Sequence, residues 1–159
     1  MKTLTLKNLM QTLIVAAAAV LITPAAVADS LLMARMDKPF PEAMAILQSA
    51  ISSRGYKITR LQQVNENLER RDYKSDMYRV VYFGKLDEVR KLTALRPELI
   101  PFLPLNITIF AEGEQSILVT SHPRVLRQFF PDAALKPVFK RWGQDIEAIM
   151  DEVREDGGR

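Results

Sequence analysis

The chain has 159 residues, which fits one domain, and 48% of them are hydrophobic. It contains no cysteine, which excludes disulfides, a thiol nucleophile, an iron–sulfur cluster, covalent haem attachment and a lipid-bearing N-terminal cysteine. The formal net charge is only +3, too little for the dense cationic surface that nucleic-acid binding requires, so no nucleic-acid partner is expected.

The N-terminal segment predicts a cleavable secretory signal over residues 1–28. Lys2 and Lys7 form a positively charged start, and an apolar run follows over residues 9–22. Ala26 and Ala28 supply the small side chains that a signal peptidase recognises, so cleavage before Asp29 is expected. The apolar run is shorter than the roughly 20 residues that span a bilayer, which disfavours an uncleaved anchor.

Cleavage would leave residues 29–159 as a single domain exported to the periplasm. The signal contains two lysines and no acidic residue, so the mature chain carries a formal net charge of +1. No later stretch is long and apolar enough to cross a membrane. We therefore expect a soluble protein that has no membrane association once the signal is removed.

A strand and a helix are predicted at the start of the mature domain. The short apolar run Leu31–Met36 suits a first strand. A helix follows Pro39 and ends at Gly55, because apolar residues recur with i, i+3, i+4, i+7 spacing. Its apolar positions are Phe40, Ala43, Met44, Leu47, Ala50 and Ile51.

The middle of the domain contains two predicted strands and a minor helix. Residues 56–64 predict a strand whose clearest apolar positions are Ile58 and Leu61, and the polar residues 65–76 predict a solvated loop with a turn of helix around Leu68. Residues 77–83 predict a stronger strand, rich in aromatic and β-branched side chains. A helix over 85–96 ends before Pro97. Its apolar side contains Leu86, Val89, Leu92, Thr93 and Leu95.

The segment 97–104 contains three prolines, which argue against regular structure, yet it is too apolar for a solvated loop. We expect it to cross one end of the core, with Phe102 and Leu103 its most buried residues. Two strands follow over 105–112 and 115–120, joined at Gly113 in a tight hairpin.

The C-terminal part predicts a short helix or turn over 123–130 and then a long helix. Gly143 lies inside this helix and is tolerated at a cost of about 1 kcal/mol. Residues 155–159 should fray. The apolar face of the long helix contains Leu135, Val138, Phe139, Trp142, Ile146, Ile149, Met150 and Val153.

The order of elements predicts an α+β domain in which an antiparallel sheet packs with helices on one face as two layers. The sequence also resembles the bacterial family catalogued as domain of unknown function 302. The resemblance rests on the helix end and strand start over 51–58 (ISSRGYKI), the Leu-Pro and strand over 103–109 (LPLNITI), and Glu112 before the hairpin glycine. It covers residues 30–152 and implies a β-α-β(4)-α fold like that of the TATA-box-binding protein. The family has no established activity, so the resemblance supplies no catalytic residues.

His122 is the only histidine, and it follows the last predicted strand. A lone histidine without cysteines cannot make a typical zinc site, so no metal site is predicted. It could ligate haem together with a methionine, although no cofactor is implied by any motif. If the hairpin is antiparallel, His122 returns to the end of the sheet where Leu105 begins, beside the proline-rich crossing. That end is the expected place for a site.

Aromatic side chains are predicted on both faces of the tyrosine-rich strand and of the strand after the prolines. Tyr78 and Tyr82 share one face of their strand, and the next strand carries Phe110. Only one face can meet the helices, so a homodimer, a second periplasmic protein or a small apolar ligand could cover the other. Scattered surface aromatics are an equally good interpretation.

The sequence contains no complete catalytic motif, so it favours a non-enzymatic binding or interaction domain of unknown ligand. The domain would act through the open sheet face or the cleft under the last helix. The alternative is a periplasmic enzyme, or a haem or redox accessory protein, that uses His122. The candidate ligand-binding residues are Tyr78, Tyr82, Phe102, Phe110 and His122.

Overall fold

The computed structural model describes residues 30–72 and 76–157. The predicted signal over 1–28 and its cleavage site lie outside the described residues. The strands are β1 (Leu31–Met36), β2 (Lys57–Gln63), β3 (Tyr78–Gly84), β4 (Leu105–Glu112) and β5 (Gln115–Ser121). The α-helices are α1 (Phe40–Ser53), α2 (Val64–Glu69), α3 (Leu86–Leu95), α4 (Leu126–Phe129) and α5 (Lys136–Gly157). A first 3-10 helix covers Pro97–Phe102, and a second covers Pro123–Val125.

The strands form one five-stranded sheet in the order β1-β5-β4-β3-β2, and every neighbouring pair is antiparallel. β4 and β5 are joined by the predicted hairpin, in which Gly113 has a φ of +61° that few other residues adopt. β1 lies beside β5, with Leu31 opposite Ser121 and Met36 opposite Ser116.

Helix α1 forms as its sequence pattern predicts. Pro41 lies in the first turn, where the missing backbone N–H is not needed. The six predicted apolar positions are the six buried residues of the helix. Gly55 follows the helix with a φ of +73°, a left-handed conformation that suits glycine.

Helix α5 supplies the second buried stripe, and it contacts β1 and α1. The sheet face beneath the helices contains Val81, Ile107 and Leu118, each with no exposed surface. The buried side chains of the last helix are Phe139, Trp142, Ile146, Ile149, Met150 and Val153, and Leu135 just before the helix is buried too, whereas Val138 is only partly buried. These contacts confirm the predicted α+β class: one antiparallel sheet, with α1 and α5 packed on one face.

The proline-rich segment differs from its prediction. Residues 97–102 form a 3-10 helix, because Pro97 occupies the first position, where its fixed φ is compatible with a helical turn. Leu99 is fully buried and Leu105 nearly so, whereas Phe102 is 40% exposed and Leu103 is partly buried. The expectation that Phe102 and Leu103 are the most buried residues was therefore wrong. Phe102 instead stacks at the surface on Phe129, with ring centroids 6.2 Å apart.

Other apolar positions are also more exposed than predicted. Leu61 is 45% exposed, because β2 is an edge strand and an irregularity between Ile58 and Arg60 interrupts its register. In α3 only Leu92 is buried, and Leu86 and Leu95 are exposed.

Helix α5 continues to Gly157, and the last two residues of the stretch expected to fray, 158–159, lie outside the described residues. Arg154 donates a hydrogen bond of 2.6 Å to the backbone oxygen of Met33, which attaches the last turns to β1. None of the described helices has the length and apolar character that would let it cross a membrane.

Candidate functional site

A pocket of about 400 Å³ opens at the end of the sheet where β3 and β5 finish and β4 begins. The segment after the first 3-10 helix, the second 3-10 helix and one turn of α5 enclose it. Its lining residues are Tyr82, Pro101, Phe102, Leu103, Pro104, Leu105, Asn106, Thr120, Ser121, His122, Pro123, Val125, Leu126 and Ile146. The structure therefore brings His122 and the proline-rich crossing to the same end of the sheet.

His122 is held firmly in the wall of this pocket, with 7% of its surface exposed. Its Nδ1 accepts a hydrogen bond of 3.0 Å from the backbone N–H of Arg124, which caps the second 3-10 helix. Its Nε2 lies 3.0 Å from Oε1 of Glu147 on α5. Because Nδ1 acts as an acceptor, the hydrogen-bond pattern assigns the neutral tautomer with the proton on Nε2, donated to Glu147.

Gly143 makes room for the imidazole. A Cβ atom at this position would lie 2.6 Å from Cε1 of His122 and 3.2 Å from Nε2, closer than real carbon contacts allow. Gly143 and Glu147 are four residues apart and so lie on one face of α5. Helix α5 thus makes room for the imidazole at Gly143 and offers it a carboxylate at Glu147. The space needed by His122 explains why a glycine lies inside a helix, where its helix propensity is unfavourable.

Both ring nitrogens of His122 are engaged, and this limits its chemistry. Ligation of haem iron by either nitrogen would break the bond to Arg124 or the one to Glu147. General-base catalysis would also require one of these two hydrogen bonds to break, because it needs a ring nitrogen directed at the substrate. Across residues 30–72 and 76–157, no group of three or more histidine, aspartate or glutamate side chains is arranged to hold a metal ion.

The polar side of the pocket consists of neutral hydrogen-bonding groups. The hydroxyl of Tyr82 donates to Oε1 of Gln62 at 3.3 Å, and that of Thr120 donates to the backbone oxygen of Asn106 at 2.7 Å. The side chains of Asn106 and Ser121 are exposed at the pocket. The rest of the lining is apolar and consists of Phe102, Leu103, Leu105, Val125, Leu126 and Ile146, together with three prolines. A ligand here would meet both carbon and neutral polar atoms.

The other two candidate residues lie elsewhere. Tyr78 and Phe110 face each other across β3 and β4, with ring centroids 6.3 Å apart in an edge-on contact. They line a groove of about 520 Å³ on the open face of the sheet. The remaining lining residues of this open-face groove are Asp76, Thr108, Ala111 and Val119. The five candidates therefore divide into a pocket group (Tyr82, Phe102, His122) and a groove group (Tyr78, Phe110).

Several residues that line the pocket or contact His122 were not identified from the sequence. Glu147 and Gly143, which contact His122, are more than twenty residues away from it in the chain, so no local pattern indicates the contact. The only available signal was the glycine itself, inside an otherwise strong helix. Asn106, Thr120 and Ser121 were also missed, because single neutral polar residues at strand ends carry no distinctive signal.

A second polar cluster attaches α5 to the body of the domain without lining the pocket. The hydroxyl of Tyr56, a residue with 3% of its surface exposed, donates to Oδ2 of Asp145 at 2.6 Å. Burial, followed by this hydrogen bond and the charge of Asp145, raises the pKa of Tyr56 well above its usual value. Glu88 on α3 accepts from Nε1 of Trp142 at 3.1 Å and pairs with Arg141. These bonds are structural and fix the orientation of α5.

Comparison with known proteins places this fold in a family. No curated protein matches the chain. A similar solved structure is that of an uncharacterized conserved protein, DUF302, from Bacillus stearothermophilus, with a TM-score of 0.70 and 17% sequence identity. The match covers 78% of this chain and 98% of that one, and at this identity it shows the fold alone. Residues 33–153 match the profile described as "Domain of unknown function DUF302". The chain therefore belongs to the DUF302 family, as the resemblance noted from its sequence suggested.

Proposed function

We propose that this protein is an exported, non-catalytic binding protein that holds a small, partly apolar ligand in the sheet-end pocket. The observation that carries the proposal is the lining: mostly apolar side chains with a few neutral polar groups, around a volume of about 400 Å³. Pockets for small molecules typically have volumes of roughly 300–1,000 Å³ and combine apolar walls with a few polar groups.

The state of His122 supports binding rather than catalysis. The one histidine of the chain has both nitrogens committed to Arg124 and Glu147, so it acts as a fixed part of the wall. Its buried position also disfavours the alternative of a haem or redox protein, because ligation would dismantle the cap of the second 3-10 helix. Export is expected from the sequence of residues 1–28.

The test is native mass spectrometry of protein exported with its own signal, on wild type and two tyrosine variants. Tyr82 and Tyr78 share a strand and a face, but only Tyr82 lines the pocket. We expect a retained small molecule in wild type and in Tyr78→Ala, and its loss in Tyr82→Ala. Loss in Tyr78→Ala alone would assign the ligand to the open-face groove and contradict the proposal.

Two further readouts address the case in which purification removes the ligand. Ligand-observed NMR with small apolar probes should show saturation transfer that Tyr82→Ala abolishes and Tyr78→Ala preserves. A Soret band that His122→Ala removes would instead support the haem alternative. Absence of both a retained mass and probe binding would reject the small-molecule proposal.

The open face favours a second candidate, an interaction domain that pairs with another copy of the chain or with another periplasmic protein. Tyr78, Val80 and Phe110 are only partly buried there, and Met33 on the edge strand is 53% exposed. Apolar side chains grouped on one sheet face are typical of a covered surface. The same mass spectra report the oligomeric state. A dimer that Phe110→Ala converts to monomer would support this candidate, and a monomer at all concentrations would contradict self-association.

A further inference from the structure

From the chemistry of the pocket wall, we infer that the ligand is an uncharged amphiphile: a compact apolar body with one head group, a hydroxyl or an amide, that donates a hydrogen bond. This inference rests on the proposed function and adds the chemical class of the ligand.

The first observation is the absence of charge from the wall. Of the fourteen lining residues, none is an aspartate, glutamate, lysine or arginine. The ionisable side chains present are Tyr82 and His122, and the nitrogens of His122 are already engaged. A charged ligand group that enters the pocket would lose its hydrating water and find no counter-charge in the wall. The free-energy cost is far greater than that of burying a neutral polar group.

The charges just behind the wall do not change this conclusion. Glu147 lies beyond the imidazole and accepts its Nε2 proton, so its negative charge disfavours a carboxylate or phosphate at the pocket. The same carboxylate is separated from the pocket by the ring, so it offers a cationic head group no direct contact. Arg124 belongs to the second 3-10 helix, and the guanidinium of Arg60 lies 6.0 Å from the centroid of the Tyr82 ring, but neither arginine lines the pocket.

The second observation concerns the direction of the hydrogen bonds. The hydroxyl hydrogens of Tyr82 and Thr120 are already donated, to Gln62 and to the backbone of Asn106. Each of these hydroxyl oxygens keeps acceptor capacity. Two wall hydroxyls therefore act toward a ligand as acceptors, and a head group that supplies N–H or O–H matches them. Asn106 and Ser121, whose side chains are exposed at the pocket, carry both donors and acceptors and fit such a head group as well. An ionised carboxylate, an ether or an ester has no hydrogen to donate to the two hydroxyls.

The third observation is the shape of the apolar side. Pro101, Pro104 and Pro123 are rigid, and Leu126 and Ile146 are buried, with 5% and 1% of their surfaces exposed. Phe102 stands at the edge, where its ring is stacked on that of Phe129. Such a wall is largely pre-formed and suits an apolar body that contacts carbon on several sides.

The test is a series of probes with the same eight-carbon body and different head groups, titrated by NMR into the mature chain at pH 7.5. 1-Octanol and octanamide supply a donor without charge, octyl methyl ether removes the donor, and octanoate and octylammonium add a charge of either sign. We expect 1-octanol and octanamide to bind about tenfold more tightly than the ether and both ions, since one buried hydrogen bond to a neutral group accounts for about that factor.

The variant Tyr82→Phe removes one acceptor and keeps the ring, and Tyr78→Phe on the same strand is the matched control. Tyr82→Phe should reduce the affinity for 1-octanol several-fold and leave that for octyl methyl ether unchanged, while Tyr78→Phe changes neither. Equal or tighter binding of octanoate, octylammonium or the ether would overturn the inference.

The outcome can be separated from failure of the proposed function. A retained ligand that carries a carboxylate, a phosphate or an amine, and that Tyr82→Ala releases, would overturn the chemical class and leave the pocket as the binding site. A retained uncharged alcohol or amide would support the class even if no eight-carbon probe binds. Binding of no probe together with no retained mass would reject the pocket itself.

Discussion

On the face of the sheet beneath the helices, Val81, Phe83 and Ile109 have no exposed surface, whereas Tyr78 and Phe110 on the other face remain partly exposed. These side chains alternate along the same two strands, β3 and β4. Backbone pairing alone therefore does not decide burial, which depends on whether α1 and α5 cover the face. The covered face holds the core together, and the open face is available for other contacts.

The two faces also differ in how polar groups are used. On the covered side, buried polar groups are paired individually, as Tyr56 is with Asp145 and His122 is with Glu147. On the open side, Arg35 of β1 pairs with Glu112 of β4 across the intervening β5 in an exposed contact. Breaking a pair of the first kind leaves a buried Tyr56 or His122 without its hydrogen-bond partner, which is costly, whereas an exposed pair contributes little. Substitutions on the two sides should therefore differ strongly in effect.

The largest effect is expected for Trp142→Ala at the centre of the covered side. Trp142 has 1% of its surface exposed and packs against Phe139, with ring centroids 5.7 Å apart. Its removal leaves a large cavity and should lower the free energy of unfolding by about 3–5 kcal/mol. Urea titration followed by circular dichroism checks this. A loss below about 1 kcal/mol would mean that α5 does not pack as described.

The next effect tests the pairing of Tyr56 with Asp145. Tyr56→Phe should lower the free energy of unfolding at pH 8 by about 1.5–3 kcal/mol, because a hydrogen bond to a charged acceptor is lost. In wild type the pKa of Tyr56 is raised in the folded state above its usual 10.0. The unfolded chain therefore releases this proton first, and wild-type stability falls as pH rises above about 10.

The matched measurement for this prediction is the stability difference between wild type and Tyr56→Phe at pH 8, 10 and 11. The variant lacks the ionisable hydroxyl, while every other group titrates alike in both proteins. The difference should shrink by about 1.4 kcal/mol per pH unit once the pH exceeds 10. A constant difference across this range would show that the folded state does not hold the proton more tightly than the unfolded chain.

A smaller effect is expected where the covered side meets the pocket. Gly143→Ala places a Cβ against Cε1 of His122, so it should destabilise by about 1–2 kcal/mol even though alanine favours the helix. In a His122→Ala background the same change should stabilise by up to about 1 kcal/mol, because the clash is gone and the propensity gain remains. A double-mutant cycle by thermal denaturation measures this change of sign. Equal effects of Gly143→Ala in both backgrounds would contradict the contact between Gly143 and His122.

The smallest effect is expected for Phe110→Ala on the open face, and Ile109→Ala, its neighbour in β4 on the covered face, is the comparison. Ile109 is fully buried, so its truncation should cost about 2–5 kcal/mol. Phe110 loses mainly its edge contact with Tyr78, which should cost about 0.5–1.5 kcal/mol. Urea titrations at two protein concentrations check the pair. A cost for Phe110→Ala that equals the cost for Ile109→Ala, or that depends on concentration, would show that the open face is covered in solution.

Local sequence patterns predicted the regular elements well where a whole face is covered. Strand β1 has the predicted bounds, and the buried positions of α1 are those with helical spacing. The same reasoning was less accurate for Leu61 and Leu86, which are exposed. Periodicity shows which residues share a face, but it cannot show whether another element covers that face. The edge strand β2 and the short helix α3 are covered only in part.

The candidate site was predictable only in part, for a related reason. The direction of β5 indicates that His122 returns to the end where β4 begins, and the structure has this arrangement. The partners of His122 are Glu147 and Gly143 on α5, and their approach depends on how that helix crosses the sheet. Binding by Tyr82, Phe102 and His122 stays a prediction, as does the role of Tyr78 and Phe110.

The position of β1 beside β5 has a consequence for how the chain folds. Leu31 pairs with Ser121 and Met36 with Ser116, so β1 finds its partner only after about 80 further residues have been synthesised. Contacts between residues so distant in sequence form slowly, because a long loop must close first. Until β5 is available, the backbone N–H and C=O groups of β1 are unpaired and can bind to other chains. A polypeptide that ends before β5 would keep its β1 strand without a partner and should aggregate rather than fold.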